Sequence, residues 1–273
     1  MSPEKLPQLV FGFVLAIIIA YAAYRARSLS RSGAWAAVLV GTIIFGLAGW
    51  RWAVLLLTFF ISSSLLSRAF KKRKLGLNEK FSKGSQRDAG QVFGNGGLAT
   101  LFAGLSFFFP GETWPWLAFA ASLAAVNADT WATELGVLSP HPPRMLTNLT
   151  KAVEKGTSGG VSLFGTLAAL AGSALIGVLA GALSPQPAGP LNGFWLALWV
   201  TSAGLAGSLV DSFLGATIQA IYTCPTCQKE TERYPLHTCG TPTMLKRGLE
   251  WFDNDWVNFA CGLGGVLLIL LAL

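Results

Sequence analysis

Charge is scarce in this chain. Asp, Glu, Lys and Arg make up 12% of its 273 residues, against about 25% in ordinary soluble domains. That shortage excludes such a domain, because the apolar residues fall in runs too long for a soluble core. Cysteine is scarce too, at four residues, and histidine at two, so soft-metal chemistry has few possible sites. The Gly-rich stretch with flanking lysines at residues 151–162 lacks the Walker spacing, which excludes a P-loop.

What is present is organised by the membrane. Runs near the roughly 20 residues needed to cross about 30 Å of hydrocarbon lie at Leu6–Tyr24, Ala34–Gly49, Trp52–Leu66, Val92–Phe109, Trp114–Leu138, Gly160–Leu183, Phe194–Tyr222 and Trp256–Leu273. They predict an all-α polytopic membrane bundle of about eight helices, one domain over residues 1–273. The second and third runs are short and joined only by Trp50-Arg51, so one or two spans are expected to be tilted or re-entrant. Leu6–Tyr24 is longer than the apolar core of a signal peptide and reads as a retained helix. The 31 glycines suit helices that pack through small side chains.

The net charge of +7 does not point to nucleic acid, because of where the charges sit. All of the Lys and Arg except Lys5 and Arg51 fall in alternate loops beginning at Arg25. The positive-inside rule puts those loops in the cytoplasm and both termini outside. The opposite loops hold little besides Glu4, Lys5, Arg51, Glu112 and the Pro/Gly stretch Ser184–Asn192. Chemistry is therefore expected at the cytoplasmic face.

Acidic groups at membrane depth are the main functional signal. At 1.5 Å per residue from Leu138, Asp129 lies about 14 Å into the fifth run and Glu134 about 6 Å. A charge there costs roughly 2.5–3.5 kcal/mol on insertion scales, and a site is the default explanation. Asn127 shares a face with Glu134, and it would serve equally as helix-to-helix glue. In the seventh run Gly204, Gly207, Ser208, Asp211, Gly215 and Gln219 form one small and polar stripe at helical spacing. A packing seam accounts for the glycines but not for Asp211. Asp253, Asn254, Asp255 and Asn258 stand at the mouth of the eighth run, where carboxylates also suit the helix dipole. Three acidic regions on one face suggest Mg²⁺, which takes one or two carboxylates plus phosphate oxygens and water.

Other groups point to an anion. Lys151, Lys155 and the stretch Gly156, Thr157, Ser158, Gly159 and Gly160 open the sixth run, where backbone N–H groups and the helix N-terminus favour phosphate. Arg87, Gln91 and Asn95 open the fourth, and Arg247 lies before the eighth. A separate signal comes from Cys224, Cys227, His237 and Cys239, four soft ligands in sixteen residues. That set predicts a closed, structural Zn²⁺ site in a cytoplasmic loop spanning 223–255, where a reducing compartment disfavours disulfides. Cys261 reads as a buried apolar residue.

Five motifs in order resemble one family of multi-pass membrane proteins. They are Gln91-Val92-Phe93-Gly94-Asn95-Gly96, the run from Ala128 to Gly136 (ADTWATELG), Gly156 to Ser162 (GTSGGVS), Gly207 to Ala216 (GSLVDSFLGA) and Asp253 to Phe259 (DNDWVNF). The family, formerly a domain of unknown function, includes chloroplast phytyl-phosphate kinase and an animal multi-pass protein. The resemblance covers the chain from about Gln86 onward, and the zinc-ligand loop looks like that of prokaryotic members, implying a prokaryotic plasma membrane. It implies transfer of a phosphoryl group from CTP or ATP to an isoprenyl monophosphate.

In such chemistry alignment and charge neutralisation matter more than covalent help. Asp129, Asp211 and Asp253 would hold Mg²⁺ with Glu134 in support, and the basic and Gly-rich groups would grip phosphates. Ser208, Gln219, Asn254 and Asn258 would complete the lining, and the prenyl tail would enter sideways from the lipid. A nucleotidyltransferase forming a CDP-lipid, an isoprenoid-alcohol kinase and a cation- or proton-coupled transporter are the alternatives. The last is disfavoured by the nearly bare outer loops, since alternating access needs contacts to both faces.

Overall fold

A computed structural model describes residues 5–70, 79–81, 83, 86–185 and 192–272. Among the described residues eight helices make the bundle: α1 (Lys5–Arg25), α2 (Arg31–Ile43), α3 (Trp50–Ala69), α4 (Ala89–Leu105), α5 (Trp114–Gly136), α6 (Leu163–Ala182), α7 (Gly193–Thr217) and α8 (Asn254–Leu271). Six are long and apolar enough to cross a membrane, namely α1, α3, α6, α7, α8 and α2 taken with the π-helical turn Ile44–Ala48 that extends it. Both short runs are longer than expected: the π-helical turn lengthens the second, and the third gains residues at both ends. Gly49 ends the first of these spans with a φ of 96°, a conformation that side chains disfavour.

Helix starts follow their capping residues. Ser30, Ser162 and Asn192 each accept a hydrogen bond from the first turn of α2, α6 and α7. Asp88 and Gln91 form a reciprocal capping box on α4, which satisfies two backbone donors at once.

The centre of the bundle is α5. Every residue from Pro115 to Ala128 is buried, because α3, α4, α6, α7 and α8 all pack against it. This explains why α5 carries Asn127, Asp129 and Glu134 yet lies at membrane depth: protein, rather than lipid, surrounds it. Close approach depends on absent side chains. A Cβ on Gly204 would fall 2.6 Å from Ala124 Cβ, and one on Gly207 2.5 Å from Ala125 Cβ. With no hydrophobic drive between helices in lipid, such tight contact is what holds α7 to α5.

Two small sheets, not anticipated in an all-helical reading, sit at the end of the bundle that carries most of the charge. Between α5 and α6, β1 (Arg144–Met145) is flanked by β2 (Asn148–Ala152) and β3 (Gly160–Val161), all antiparallel. Between α7 and α8, β4 (Ile221–Cys224) is flanked by β5 (Lys229–Thr231) and β6 (Met244–Arg247). The apolar residues Ile221 and Tyr222, expected at the end of the seventh helix, are the start of β4 instead. Lys71, Lys72, Arg73 and Lys74 of the basic loop lie outside the described residues, as do Glu4 and residues 186–191 of the Pro/Gly stretch.

Candidate active site

At the charged end the helices enclose a cleft of about 530 Å³. Its floor is set by the tight α5–α7 seam. One turn beyond Gly207, Asp211 meets Asp129, and their carboxyl groups are in hydrogen-bonding contact. Asp211 Oδ2 is buried and, among the described residues, has no hydrogen-bond partner. Two carboxylates in contact repel unless a proton or cation lies between them. Glu134, buried one turn below the end of α5, accepts a hydrogen bond from Ser67 Oγ at 2.7 Å. Cys261, expected to be an apolar filler, is indeed fully buried on α8.

Of the expected site residues, Arg87, Gln91, Asn95, Asp129, Glu134, Lys155, Gly156, Thr157, Ser158, Gly159, Gly160, Ser208, Asp211, Asn254 and Asn258 line this cleft. Arg87 is held from both sides. Its backbone pairs with the α1–α2 connection through Ser28 and Ser30, while its guanidinium donates to Ser63 Oγ and Ser64 Oγ, each at 3.0 Å. The Gly-rich loop is seated against α7. At Gly159, φ is 83°, and a Cβ there would fall 2.5 Å from Ala216 Cβ, so only glycine fits. Lys155 Nζ donates to the carbonyls of Val137 and Ser139 at 3.1 and 2.6 Å, which neutralises the C-terminal end of α5 and ties the loop to it.

Five expected residues are placed elsewhere. Asp253 is exposed and caps α8, accepting from the backbone N–H of Asp255 and Trp256; the helix-dipole explanation holds, and Asp253 does not join Asp129 and Asp211. Asn127 is fully buried and bridges helices, donating to Gly172 O at 2.7 Å and accepting from Ser62 Oγ at 3.2 Å. Lys151 lies exposed on β2. Gln219 is buried behind the Gly-rich loop, where its amide oxygen pairs with Ser158 Oγ and its amide nitrogen donates to Glu232 Oε1 at 3.1 Å. Arg247 supports the same loop from behind through Ser158 O at 3.4 Å, and partial burial lowers its pKa.

Three charged cleft residues were not expected: Lys83, Glu232 and Arg233. Glu232 follows β5, and its charge bears on Asp211. Lys83 is paired with Asp88 at 3.0 Å and, more closely, with Asp255. Burial pulls the Lys83 ammonium down, but the hydrogen bonds and charges of the two aspartates outweigh it and raise its pKa.

Glu79 and Lys80 tie both sheets together beside the cleft. Lys80 pairs with Glu154 at 2.6 Å, Lys229 with Glu79 at 2.7 Å, and Glu232 N donates to Lys80 O at 2.8 Å.

Beyond β4, Cys224, Cys227, His237 and Cys239 offer ligand atoms that all lie within 4.8 Å of one another. The Cys224 and Cys239 sulfurs are 3.6 Å apart, close to the roughly 3.8 Å expected of two thiolates on one tetrahedral zinc with about 2.3 Å bonds. Thr241 first, then His237, hydrogen-bond the Cys239 thiol and lower its pKa to about 5, while Cys239 and Cys224 beside it raise that of Cys227 to about 11. This set fits a metal ion.

Comparison with known proteins adds identity. A family described as integral membrane protein DUF92 matches residues 14–266. Protein PGR of Arabidopsis thaliana is 36% identical over 94% of this chain and 93% of its own length. An uncharacterised membrane protein of Methanocaldococcus jannaschii is 33% identical over 79% of this chain and 85% of its own. Protein VTE6, chloroplastic, of Arabidopsis thaliana is 27% identical over 89% of this chain and 65% of its own length. No solved structure matches the chain.

Proposed function

The chain belongs to the DUF92 family of integral membrane proteins, and from that premise we propose that it is a phosphotransferase acting on an isoprenyl monophosphate. The observation that carries this reading is the contact of Asp129 and Asp211 on the floor of a cleft whose rim is Gly-rich and basic. Opposed carboxylates call for a divalent cation, and the rim calls for phosphate. The family resemblance carried by the five motifs supplies the acceptor class.

Asp129, Asp211 and, in place of Asp253, Glu232 would hold Mg²⁺. Bound there, the ion would neutralise donor phosphate charge. Glu134 keeps Ser67 and α3 in register beside the cleft. The Gly156–Gly160 loop, opening onto α6, faces the donor phosphates with a helix N-terminus behind it. Arg87, Gln91 and Asn95 receive the acceptor phosphate. An acceptor phosphate oxygen forms the new O–P bond to the terminal phosphorus of CTP or ATP, the bridging P–O bond breaks, and nucleoside diphosphate leaves. The attacking oxygen is already anionic, so no side chain has to remove a proton. Positive charge at one end of the bundle supports a cytoplasmic cleft with both termini outside. The zinc loop closes the cleft as a structural element over residues 223–255.

The test is incubation of purified protein with labelled CTP or ATP, Mg²⁺ and prenyl monophosphates. Nucleoside diphosphate and a prenyl diphosphate support the reading. Release of pyrophosphate would replace it with nucleotidyl transfer, and absence of either product from every acceptor would end it.

A further inference from the structure

We propose that the acceptor's tail lies in an apolar cavity between α3 and the layer of α1, α2 and α4, and that the far end of this cavity limits tail length. The proposal rests on the isoprenyl-phosphate reading and adds to it a place for the tail and a basis for selectivity.

A second cavity, of about 110 Å³, runs within the N-terminal half of the bundle. Its position follows from how the helices pair. α1 packs on α2 and α2 on α4, α3 and α4 both pack on α5, and the cavity lies between α3 and the layer of α1, α2 and α4. On α1 its wall includes Gly12, Ala16, Ala20 and Ala23, small residues that leave room. From Gly12 to Ala23 the wall extends about 16 Å at 1.5 Å per residue. The π-helical turn Ile44–Ala48 packs on α1, α3 and α4 and closes the far end, with Phe45 in the wall.

Polarity changes only at the near end. There Arg87, Gln91 and Asn95 line this cavity, and the same three side chains line the polar cleft. Arg87 marks the junction: its guanidinium lies 5.8 and 5.5 Å from the ring centroids of Phe59 and Phe60, while its hydrogen bonds go to serines of α3. An anionic group at these three residues would place whatever is attached to it among alkyl and aromatic walls. A single slim hydrocarbon tail carrying one phosphate has this shape and polarity. A nucleotide does not, and a two-chain lipid has a second tail to accommodate.

The experiment uses the full chain in lipid nanodiscs and a prenyl monophosphate bearing a diazirine at the tail end. After photolysis, adducts are expected at Phe45 and the first turns of α3, and excess unlabelled prenyl monophosphate should remove them. Adducts confined to α6–α8, or adducts that the competitor does not reduce because bulk lipid fills the seam, would overturn the proposal. A second arm tests length. Ala53 lines the far end, so Ala53→Phe should raise KM for the longest accepted tail about tenfold or more relative to the shortest, as apolar pockets discriminate on that scale. It should leave kcat for the shortest tail unchanged, and an unaltered KM ratio would refute the length limit. The two readings fail separately. Competed adducts at the π-helical turn without phosphoryl transfer would keep the tail site and remove the phosphotransferase assignment; transfer with adducts elsewhere would do the reverse.

Discussion

The charged end of the bundle has two acidic walls, one on the floor of the cleft and one beside it, and they are built on opposite principles. On the α4–α8 side, Asp88 and Asp255 both meet the Lys83 ammonium, and Asp253 meets backbone N–H groups. Each of these carboxylates has a cationic or N–H partner within the fold, although Asp255 Oδ1 is buried and has none among the described residues. On the α5–α7 side, Asp129 meets Asp211, with Glu232 close enough for its charge to be felt. Carboxylate against carboxylate adds nothing to folding by itself. The contrast teaches that acidity alone does not single out a candidate site; what distinguishes the α5–α7 wall is that its carboxylates face one another.

The sharpest way to break this comparison is to neutralise one residue on each wall. Asp129→Asn or Asp211→Asn should lower turnover by at least about 10²-fold, the scale of losing one group that stabilises transferring charge. The melting temperature should hold or rise, since the substitution removes a like-charge contact. Near-normal activity in a radiolabel transfer assay would exclude these residues from the reaction. Next in size is metal removal from the thiol site. Cys224→Ser or Cys239→Ser should abolish stoichiometric zinc measured by elemental analysis. Activity should fall about 10–100-fold, as for lost positioning groups around a site, because Glu232 is carried by this loop.

How much of this was legible in the sequence depended on the kind of signal. Asp129, Glu134 and Asp211 stood out because apolar surroundings make a charge conspicuous, and they lie where expected. The Gly-rich loop and the cluster of three cysteines and one histidine each fall within one short stretch of sequence, and both stood out there. Asp253 was grouped with Asp129 and Asp211 as a metal ligand although it stood at a helix mouth, and it falls at the first position before α8, where backbone N–H groups use its carboxylate. Lys83, Glu232 and Arg233 were hidden for the opposite reason. They sit in loops already rich in charge, and only the pairing of Glu79 and Lys80 with β5 brings them to the cleft. The sheets were missed because their strands are two to five residues long and two of them continue apolar runs that read as helix.

On the balanced wall the effects should be smaller and should fall on stability. Asp255→Asn leaves Lys83 with Asp88 alone. Because the pair is partly exposed, the loss should be roughly 1 kcal/mol, seen as a lower melting temperature with turnover within about tenfold of normal. A stability loss at Asp211→Asn as large as this one would erase the distinction between the walls.

The smallest expected effect concerns the ties beside the cleft. Hydrogen bonds from Lys229 and Lys80, reinforced by their charges, hold the Glu79 and Glu154 carboxyls below their ordinary pKa. A carboxylate whose pKa is lowered on folding contributes above its unfolded value, about 4.3, and the contribution fades as pH falls through the lower, folded value. Nothing should therefore change between pH 6 and 8. Below about pH 4, amide exchange should quicken in residues 79–83 and in β5, while α5 stays protected. Because both carboxylates lie at the surface, added salt should weaken the same ties at neutral pH. Equal protection of the segment at acid and neutral pH would show that it is held by its backbone hydrogen bonds to β5 rather than by charge.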